Sequence, residues 1–408
     1  MMGQARRKTG NNDEPFEFDH WLLGGAIALA ILGLIMVASA SIAIADKAGL
    51  HPFHYVFKHV IALGLGSVLA MICTRIPMSN LERASPFFML LSVPMLLVVF
   101  VPGLGITING AARWVNLGVI GFQVVELVKL MMVIFLAGYL VRQSKQLQNS
   151  FMGILKPFAV AAAIASLLLA QPDFGGALLI VAVTAAMIWI GGGRWRDLLS
   201  MAIAGLPLII WAALSESYRL RRLKSFLDPW ADPYDGGFQL TQALIAVGRG
   251  EWLGVGLGGS VQKLFYLPEA HTDFILAVLA EELGLAGIVL LLALLGLVVG
   301  RGMLLAMRAL EDRQYFSGYL AYGLSVLIAI QAATSIGVNF GILPTKGLTL
   351  PLISSGGSSA VMMCIAIGLL LRVGHEVKAE NPAARFQPTG SPGQSAKTQS
   401  KTAGVLSR

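Results

Sequence analysis

Residues 266–284, YLPEAHTDFILAVLAEELG, bring an acid to the mouth of an apolar run. Asp273 follows Pro268 and Thr272 where a polar segment enters a span, so its carboxylate would sit on a rigid helix end at a membrane interface. Such an acid can take a proton from an attacking hydroxyl. It can equally cap the helix, where backbone donors and the dipole favour negative charge. Glu281 and Glu282 lie deeper, at an apolar level where ionisable groups are costly and take partners, which suits an ion-paired structural element. His271 stands alone beside Asp273, and a lone loop histidine is more simply solvated than catalytic or metal-bound.

A second cluster is NFGILPTKGLTLPLISSGGSS, residues 339–359. Pro344 and Gly347 bracket Lys346, and irregular backbone at membrane depth is tolerated only where protein or a polar cavity satisfies it, which makes Lys346 a candidate anion binder. Gly356, Gly357, Ser358 and Ser359 precede an apolar run and would either offer helix N-terminal donors to phosphate or pack helices tightly. In a third segment, residues 109–129, Arg113 beside Trp114 is a phosphate clamp or an interfacial anchor pair. Glu126 and Lys129, three residues apart, neutralise one another on one helix face. Asp228, Asp232 and Asp235 stand among Pro and Gly without the full ligand pattern of a calcium loop, so turn chemistry explains them. GVGLGG has no preceding strand and no βαβ surroundings, which rules out a dinucleotide loop. Arg219, Arg221, Arg222 and Lys224 form a basic cluster suited to headgroups or a polyanionic ligand.

These groups need elements to hold them, and composition says which kind. The chain has 408 residues, 56% hydrophobic and only 13% charged, with a mean hydropathy of +0.73. That excludes a conventional soluble enzyme and makes the chain a polytopic, all-α membrane protein. The 46 glycines fall inside apolar runs, as in closely packed spans. Cys73 and Cys364 have neither the number nor the spacing of a disulfide framework or zinc site and read as packing residues. The net charge of +8 comes from Lys and Arg scattered through short loops and the tail, which suits membrane topology and gives no nucleic-acid stripe. No signal peptide is expected, since the first apolar run is long enough to remain as an anchor.

Ten spans can be placed, at 21–43, 55–73, 87–102, 125–141, 158–170, 177–191, 198–213, 274–299, 315–337 and 358–373. They divide the chain into an N-terminal segment (1–20), a membrane domain (21–373) and a tail (374–408) that is disordered after about residue 379 by its Pro, Ser, Gln and Gly content. The short loops on one side carry Arg75, Arg83, Arg142, Lys145, Lys156, Arg194, Arg196, Arg301, Arg308 and Arg313, and those on the other only Lys47, Lys58, Arg113 and Lys346. Both termini are therefore expected in the cytoplasm. The long segment 214–272, between the seventh and eighth spans, then faces outward with 103–124 and 339–357, and these three make the walls of the expected site.

Taken together, QPDFGG (171–176), DPWADPYDGGFQLTQALIAVGRG (228–250), GLGGSVQKLFYLPEAHTDF (256–274) and the 339–359 segment resemble the SEDS family of ten-span peptidoglycan glycosyltransferases, and its cell-division branch more than its elongation branch. The resemblance covers roughly residues 20–375. It implies polymerisation of lipid II on the outer face of a bacterial cytoplasmic (inner) membrane, at the division septum. It also implies a class B penicillin-binding transpeptidase and other division proteins as partners, besides membrane lipids. The Asp of the family's HTDF motif falls on Asp273, the Lys of PTKG on Lys346 and the Arg of the NGxxRW segment on Arg113. Val124 and Val125 stand where the family usually has Pro and Ser, and Ser355 where it usually has Tyr, which puts fine packing in question.

The expected reaction is attack of an acceptor sugar hydroxyl on the anomeric carbon of a donor leaving as polyprenyl diphosphate, with inversion. Asp273 would be the base. A diphosphate is already a good leaving group and needs charge neutralisation rather than an acid, which Lys346 and Arg113, with Lys263, Arg249 or a divalent cation (magnesium or manganese), would supply. Glu269, His271, Thr272, Gln239, Gln242, Ser358 and Ser359 would support the site. Two rival expectations are a lipid II flippase or transporter, with the same cations binding diphosphate in transit, and a scaffold recruiting a transpeptidase.

Overall fold

The computed structural model describes residues 18–108, 111–116, 121–215, 217–264, 266–345 and 347–380. Lys346, residues 1–17 and the tail from residue 381 lie outside the described residues. In chain order the elements are α1 (His20–Lys47), α2 (His54–Thr74), α3 (Met78–Val98), β1 (Gly105–Ile108), β2 (Ala111–Asn116), β3 (Gly121–Gln123), α4 (Val124–Arg142), α5 (Ser144–Asn149), α6 (Phe151–Ala170), α7 (Phe174–Ile190), α8 (Trp195–Leu214), α9 (Ser217–Leu227), α10 (Phe238–Gly250), α11 (Ile275–Glu311), α12 (Tyr315–Asn339) and α13 (Gly357–Glu380). Among the described residues nine helices are long and apolar enough to cross a membrane, and α7 is a shorter apolar one. These match the ten expected spans.

The expected ends were trimmed where polar residues begin. α3 starts at Met78 rather than 87 because its first turns carry Asn80, Glu82 and Arg83, and α11 runs to Glu311 rather than 299 through Arg301 and Arg308. α6 starts at Phe151, before Lys156 and Pro157, rather than at 158. Acids fix two of the starts. The Asp19 carboxylate accepts the Leu22 N–H at 3.0 Å and the Arg301 guanidinium at 2.5 Å, and Asp173 accepts the Gly176 N–H at 3.1 Å.

α4, α12 and α13 form the centre: 83% of the apolar stretch of α4 and of α13 is buried, against 6% of that of α8, which therefore lies at the periphery with most of its apolar surface exposed. α2 packs along α13. A Cβ at Gly66 would lie 2.8 Å from the Cys364 Cβ and one at Gly368 2.7 Å from the Ala70 backbone, so the two helices meet nearly backbone to backbone. Cys73 and Cys364 are free and half-buried in this region.

Two features depart from a bundle of plain helices. Within the 103–124 segment, residues 105–108, 111–116 and 121–123 form a three-stranded antiparallel sheet in the order β1-β2-β3, with Trp114 opposite Ile106 and Gln123. Strands of three to six residues lie below what a span-length search detects. The 214–272 segment, expected as one long loop, contains α9 and α10 and a hairpin-like turn, residues 251–256, that docks on α11. α11 is broken at Gly284 (φ 63°, ψ −159°). The carbonyls of Glu281 and Glu282 accept the N–H groups of Val255 and Gly256 at 3.0 Å each, while Leu285 and Ala286 donate to the carbonyls of Glu251 (2.9 Å) and Trp252 (3.1 Å). The hairpin thus satisfies the backbone that the break releases, as a low-dielectric setting demands.

Candidate active site

Asp273 precedes the outer half of the broken helix, and the structure decides between its two expected roles. The helix N-cap is Phe274, with no side-chain cap. The capping group comes from α12: Asn339 Oδ1 accepts the Ala277 N–H at 3.0 Å, and its Nδ2 donates to the carbonyls of Asp273 and Ser335 at 2.9 Å each. Asp273 is thereby relieved of capping. Among the described residues no hydrogen bond is made to its carboxylate.

The second wall is pinned to this helix end. Ser354 Oγ donates to the Thr272 carbonyl at 2.7 Å and accepts the Leu350 N–H at 2.8 Å, while the Ser355 N–H donates to the His271 carbonyl at 3.0 Å. This last tie uses backbone, so Ser355 preserves it whatever its side chain. A Cβ at Gly347 would lie 3.2 Å from Asp273 Oδ2, and Arg222 Nη1 donates to the Thr345 carbonyl at 3.2 Å. Lys346 itself lies outside the described residues, but both its chain neighbours are at the Asp273 carboxylate or at the guanidinium of Arg222.

Asp273 is half-buried. Burial and, second, the negative charge of Glu269 push its carboxyl up to about 7, against the opposing pull of Arg222 and Arg113. A base poised near neutrality is what general-base chemistry favours. Glu269 adopts φ 55° and accepts the Thr272 hydroxyl on Oε2 at 2.8 Å, which locks the PEAHT turn. His271 packs its ring 4.8 Å from that of Tyr55, its Nδ1 is buried without a partner among the described residues, and burial lowers its pKa. It is thus a neutral wall residue.

Arg113, on β2, donates to the carbonyls of Pro172 and, at 3.4 Å, Gln171, with Asp173 at 3.9 Å. Its fork is largely engaged at the α6–α7 junction, so it acts on Asp273 as a fixed charge. Lys263 and Arg249 have a different employment from the one expected. Lys263 is buried against Glu282 at 2.6 Å and donates to Ser39 at 2.9 Å, and Arg249 pairs with Glu281 at 2.7 Å. Glu281 and Glu282 are fully buried, and carboxylates at such a depth require cations as partners. Ser260 Oγ and the Val261 and Gln262 N–H groups complete the shell of Glu281 at 2.5, 3.1 and 3.3 Å.

Ser358 and Ser359 likewise tie elements together rather than open onto a ligand. Ser358 accepts the Gln123 N–H at 2.9 Å and Ser359 the Thr349 hydroxyl at 2.8 Å. Gln239 and Gln242 are half-buried on α10, which packs on α11. Lys129 bonds both Glu126 and Gln331 at 2.7 Å, and Gln331 continues to the Thr349 carbonyl at 3.1 Å, so a buried polar chain links α4 to the 339–357 wall. Asn339, Gln331 and Ser354 had not been singled out as site residues, and Arg222 only as one member of a basic cluster. A polar residue within or ending an apolar span was the available signal for the first two.

Comparison with known proteins gives the same architecture. Residues 20–379 match the cell cycle protein family of FtsW, RodA and SpoVE. The chain is 49% identical over 400 residues to a probable peptidoglycan glycosyltransferase FtsW of Xanthomonas oryzae pv. oryzae, covering 97% of this chain and 82% of that one. A protein of the same description from Legionella pneumophila is 47% identical over 359 residues, covering 88% and 91%. Among solved structures, one from a peptidoglycan synthase complex that coordinates polymerization and crosslinking aligns with a TM-score of 0.70 at 30% identity, covering 92% of this chain and all (100%) of that one. The rod shape determining protein RodA of Thermus thermophilus aligns with a TM-score of 0.61 at 26% identity, covering 91% and 98%. With ten apolar helices among the described residues and a match that runs from the first of them to the last, the chain belongs to the FtsW, RodA and SpoVE family of polytopic membrane proteins.

Proposed function

We propose that this chain is a peptidoglycan glycosyltransferase that polymerises lipid II, with Asp273 as its general base. One observation carries the reading: a carboxylate relieved of helix capping, its pKa raised to about 7, held beside Gly347 and under the influence of Arg222 and Arg113. The 4-hydroxyl of the acceptor N-acetylglucosamine gives its proton to Asp273 as its oxygen attacks the donor's anomeric carbon. The bond to the diphosphate breaks on the opposite face, which inverts the centre to a β-1,4 link. Lys346 and the fixed charge of Arg113 stabilise the departing undecaprenyl diphosphate. The names of the FtsW relatives and the site's acid-and-cation chemistry support this assignment.

Among the described residues no group of three His, Cys, Asp or Glu could hold a metal ion. Asp273 and Glu269 could share a magnesium or manganese ion only together with diphosphate oxygens, where it would supply charge neutralisation. The bias of cations among the short loops supports a topology with both termini in the cytoplasm and the site outside. By likeness to the cell-division relatives the protein works at the septum with other division proteins, and its partner is a class B penicillin-binding transpeptidase.

The test is purified protein with lipid II in detergent, where there is no membrane to cross, with and without the transpeptidase. Glycan strands from the parent and about 100- to 10,000-fold less from Asp273→Ala are expected. Equal synthesis by Asp273→Ala removes the base. No glycan from either protein, with lipid II transport in vesicles, would favour the flippase reading.

A further inference from the structure

We propose that His59 of α2 is a positioning residue for Asp273: together with His271 it holds a buried water molecule that fixes the PEAHT turn. The inference deepens the glycosyltransferase reading and rests on it. His59 lies inside an apolar span and is only 2% exposed. Among the described residues neither of its ring nitrogens has a hydrogen-bond partner, and neither does the buried Nδ1 of His271. Buried polar atoms almost always find a partner in protein or in ordered water, so two such imidazoles at one junction mark a place where water binds.

The helix period brings them to that junction. Tyr55, His59, Ala62 and Gly66 form one stripe of α2. At its outer end the Tyr55 ring lies 4.8 Å from that of His271. At its inner end a Cβ on Gly66 would lie 2.8 Å from the Cys364 Cβ and 3.1 Å from the Val361 Cα of α13. His59, one turn below Tyr55, therefore faces the level between the PEAHT turn and the first turns of α13. The chain just before α13 is tied to that turn, since the Ser355 N–H donates to the His271 carbonyl at 3.0 Å. Ser41 of α1 adds a fully buried hydroxyl that also has no partner among the described residues. It stands as far below the outer end of α1 as His59 stands below that of α2, within one residue, so the two share a depth. A neutral imidazole has one N–H to give and one nitrogen to receive, and a water molecule meets both. Asp273 follows His271 by two residues, so fixing that imidazole fixes the base.

The experiment measures lipid II polymerisation and thermal unfolding of the purified full chain in detergent, under conditions in which the parent makes glycan. His59→Leu fills the space without polar atoms. Its kcat is expected to fall about 10- to 100-fold, the effect of a base displaced by about 1 Å. Lipid II KM and the unfolding temperature should hold, because an apolar replacement removes the demand for a partner. His59→Gln, which keeps a donor and an acceptor, should recover most of the rate, and His59→Leu with His271→Phe should be no slower than His271→Phe alone. A parental kcat in His59→Leu overturns the proposal. So does a double variant slower than His271→Phe, or a rate loss that follows a fall in unfolding temperature and is not relieved by glutamine, which is what a packing role gives. If His59→Leu does not fold, His59→Asn decides it, since its amide stops short of the outer ring nitrogen: a parental kcat there overturns the proposal. The underlying reading fails differently, by polymerisation at the parental rate in Asp273→Asn.

Discussion

Asn339 of α12 holds both ends of the junction at Asp273: its Oδ1 takes the Ala277 N–H at 3.0 Å and its Nδ2 gives a bond to the Asp273 carbonyl at 2.9 Å. One amide therefore sets where the carboxylate stands relative to the 339–357 wall. Asn339→Asp keeps the acceptor and loses the donor, whereas Asn339→Ala loses both. The loss of a cap costs about 0.5–2 kcal/mol. We expect polymerisation to fall in the order parent, Asp, Ala, with kcat reduced more than lipid II KM is raised. The reverse split would assign Asn339 to substrate binding.

The raised pKa of Asp273 predicts a pH profile. The base is active when deprotonated, so kcat/KM should fall by about tenfold per pH unit below the pKa of about 7 and level off above it. Glu269 on the same turn raises that pKa, and Arg222 from α9 and Arg113 from β2 lower it. Glu269→Gln should therefore move the acid limb to lower pH. A limb that stays in place would show that another group titrates.

Linkage makes a separate prediction about stability. Between the ordinary carboxylate pKa of 3.8 and about 7 the folded protein binds more protons at Asp273 than the unfolded chain does. Stability is therefore lost as pH rises through this window. Asp273→Asn, which cannot ionise, should stabilise the protein above pH 7 by ~1–3 kcal/mol, discounted for partial exposure, and leave it unchanged below the lower limit. Thermal unfolding in detergent across this range measures the difference.

The Lys263–Glu282 pair should respond asymmetrically to substitution. Glu282→Leu alone strands a buried ammonium and should cost about 3–5 kcal/mol, whereas Glu282→Leu with Lys263→Met should recover much of the loss. Ser39 bonds both partners, at 2.7 and 2.9 Å, so Ser39→Ala should weaken the pair without abolishing folding. Protein yield and unfolding temperature distinguish the three.

Gly284→Ala would force a side chain into positive φ and place its Cβ 2.4 Å from the Gly254 nitrogen. A Cβ at Gly250 would lie 1.8 Å from the Ala280 carbonyl oxygen. Both substitutions should prevent the hairpin from docking, each costing more than about 2 kcal/mol. A neighbouring control, Gly248→Ala, meets nothing within 4 Å and should be silent. Stable, active Gly284→Ala protein would mean that the break can straighten.

The spans were legible because hydropathy is a bulk property, and the ten apolar runs each became a helix. Legibility stopped where one residue carries the information. Across LAEELGLAG the apolar pattern is that of a continuous helix, and only the backbone angles of Gly284 reveal the break. That hidden break also decided Lys263 and Arg249: a sequence displays cations but not the acids to which they are committed. Asp273 was legible as an acid at a span mouth, yet its relief from capping depends on Asn339, 66 residues away. Arg222 could not be told from its basic neighbours until the contact with Thr345 set it apart.

The discontinuity in α11 is also a splice between two pieces of chain far apart in sequence. A continuous 37-residue rod would carry any tilt of its far end, such as one imposed by a thinner or thicker bilayer, straight to the carboxylate. Here the hairpin is bonded to Glu281 and Glu282 before the break and to Leu285 and Ala286 after it, so the seat of the carboxylate is set by the outer segment as well as by the rod below.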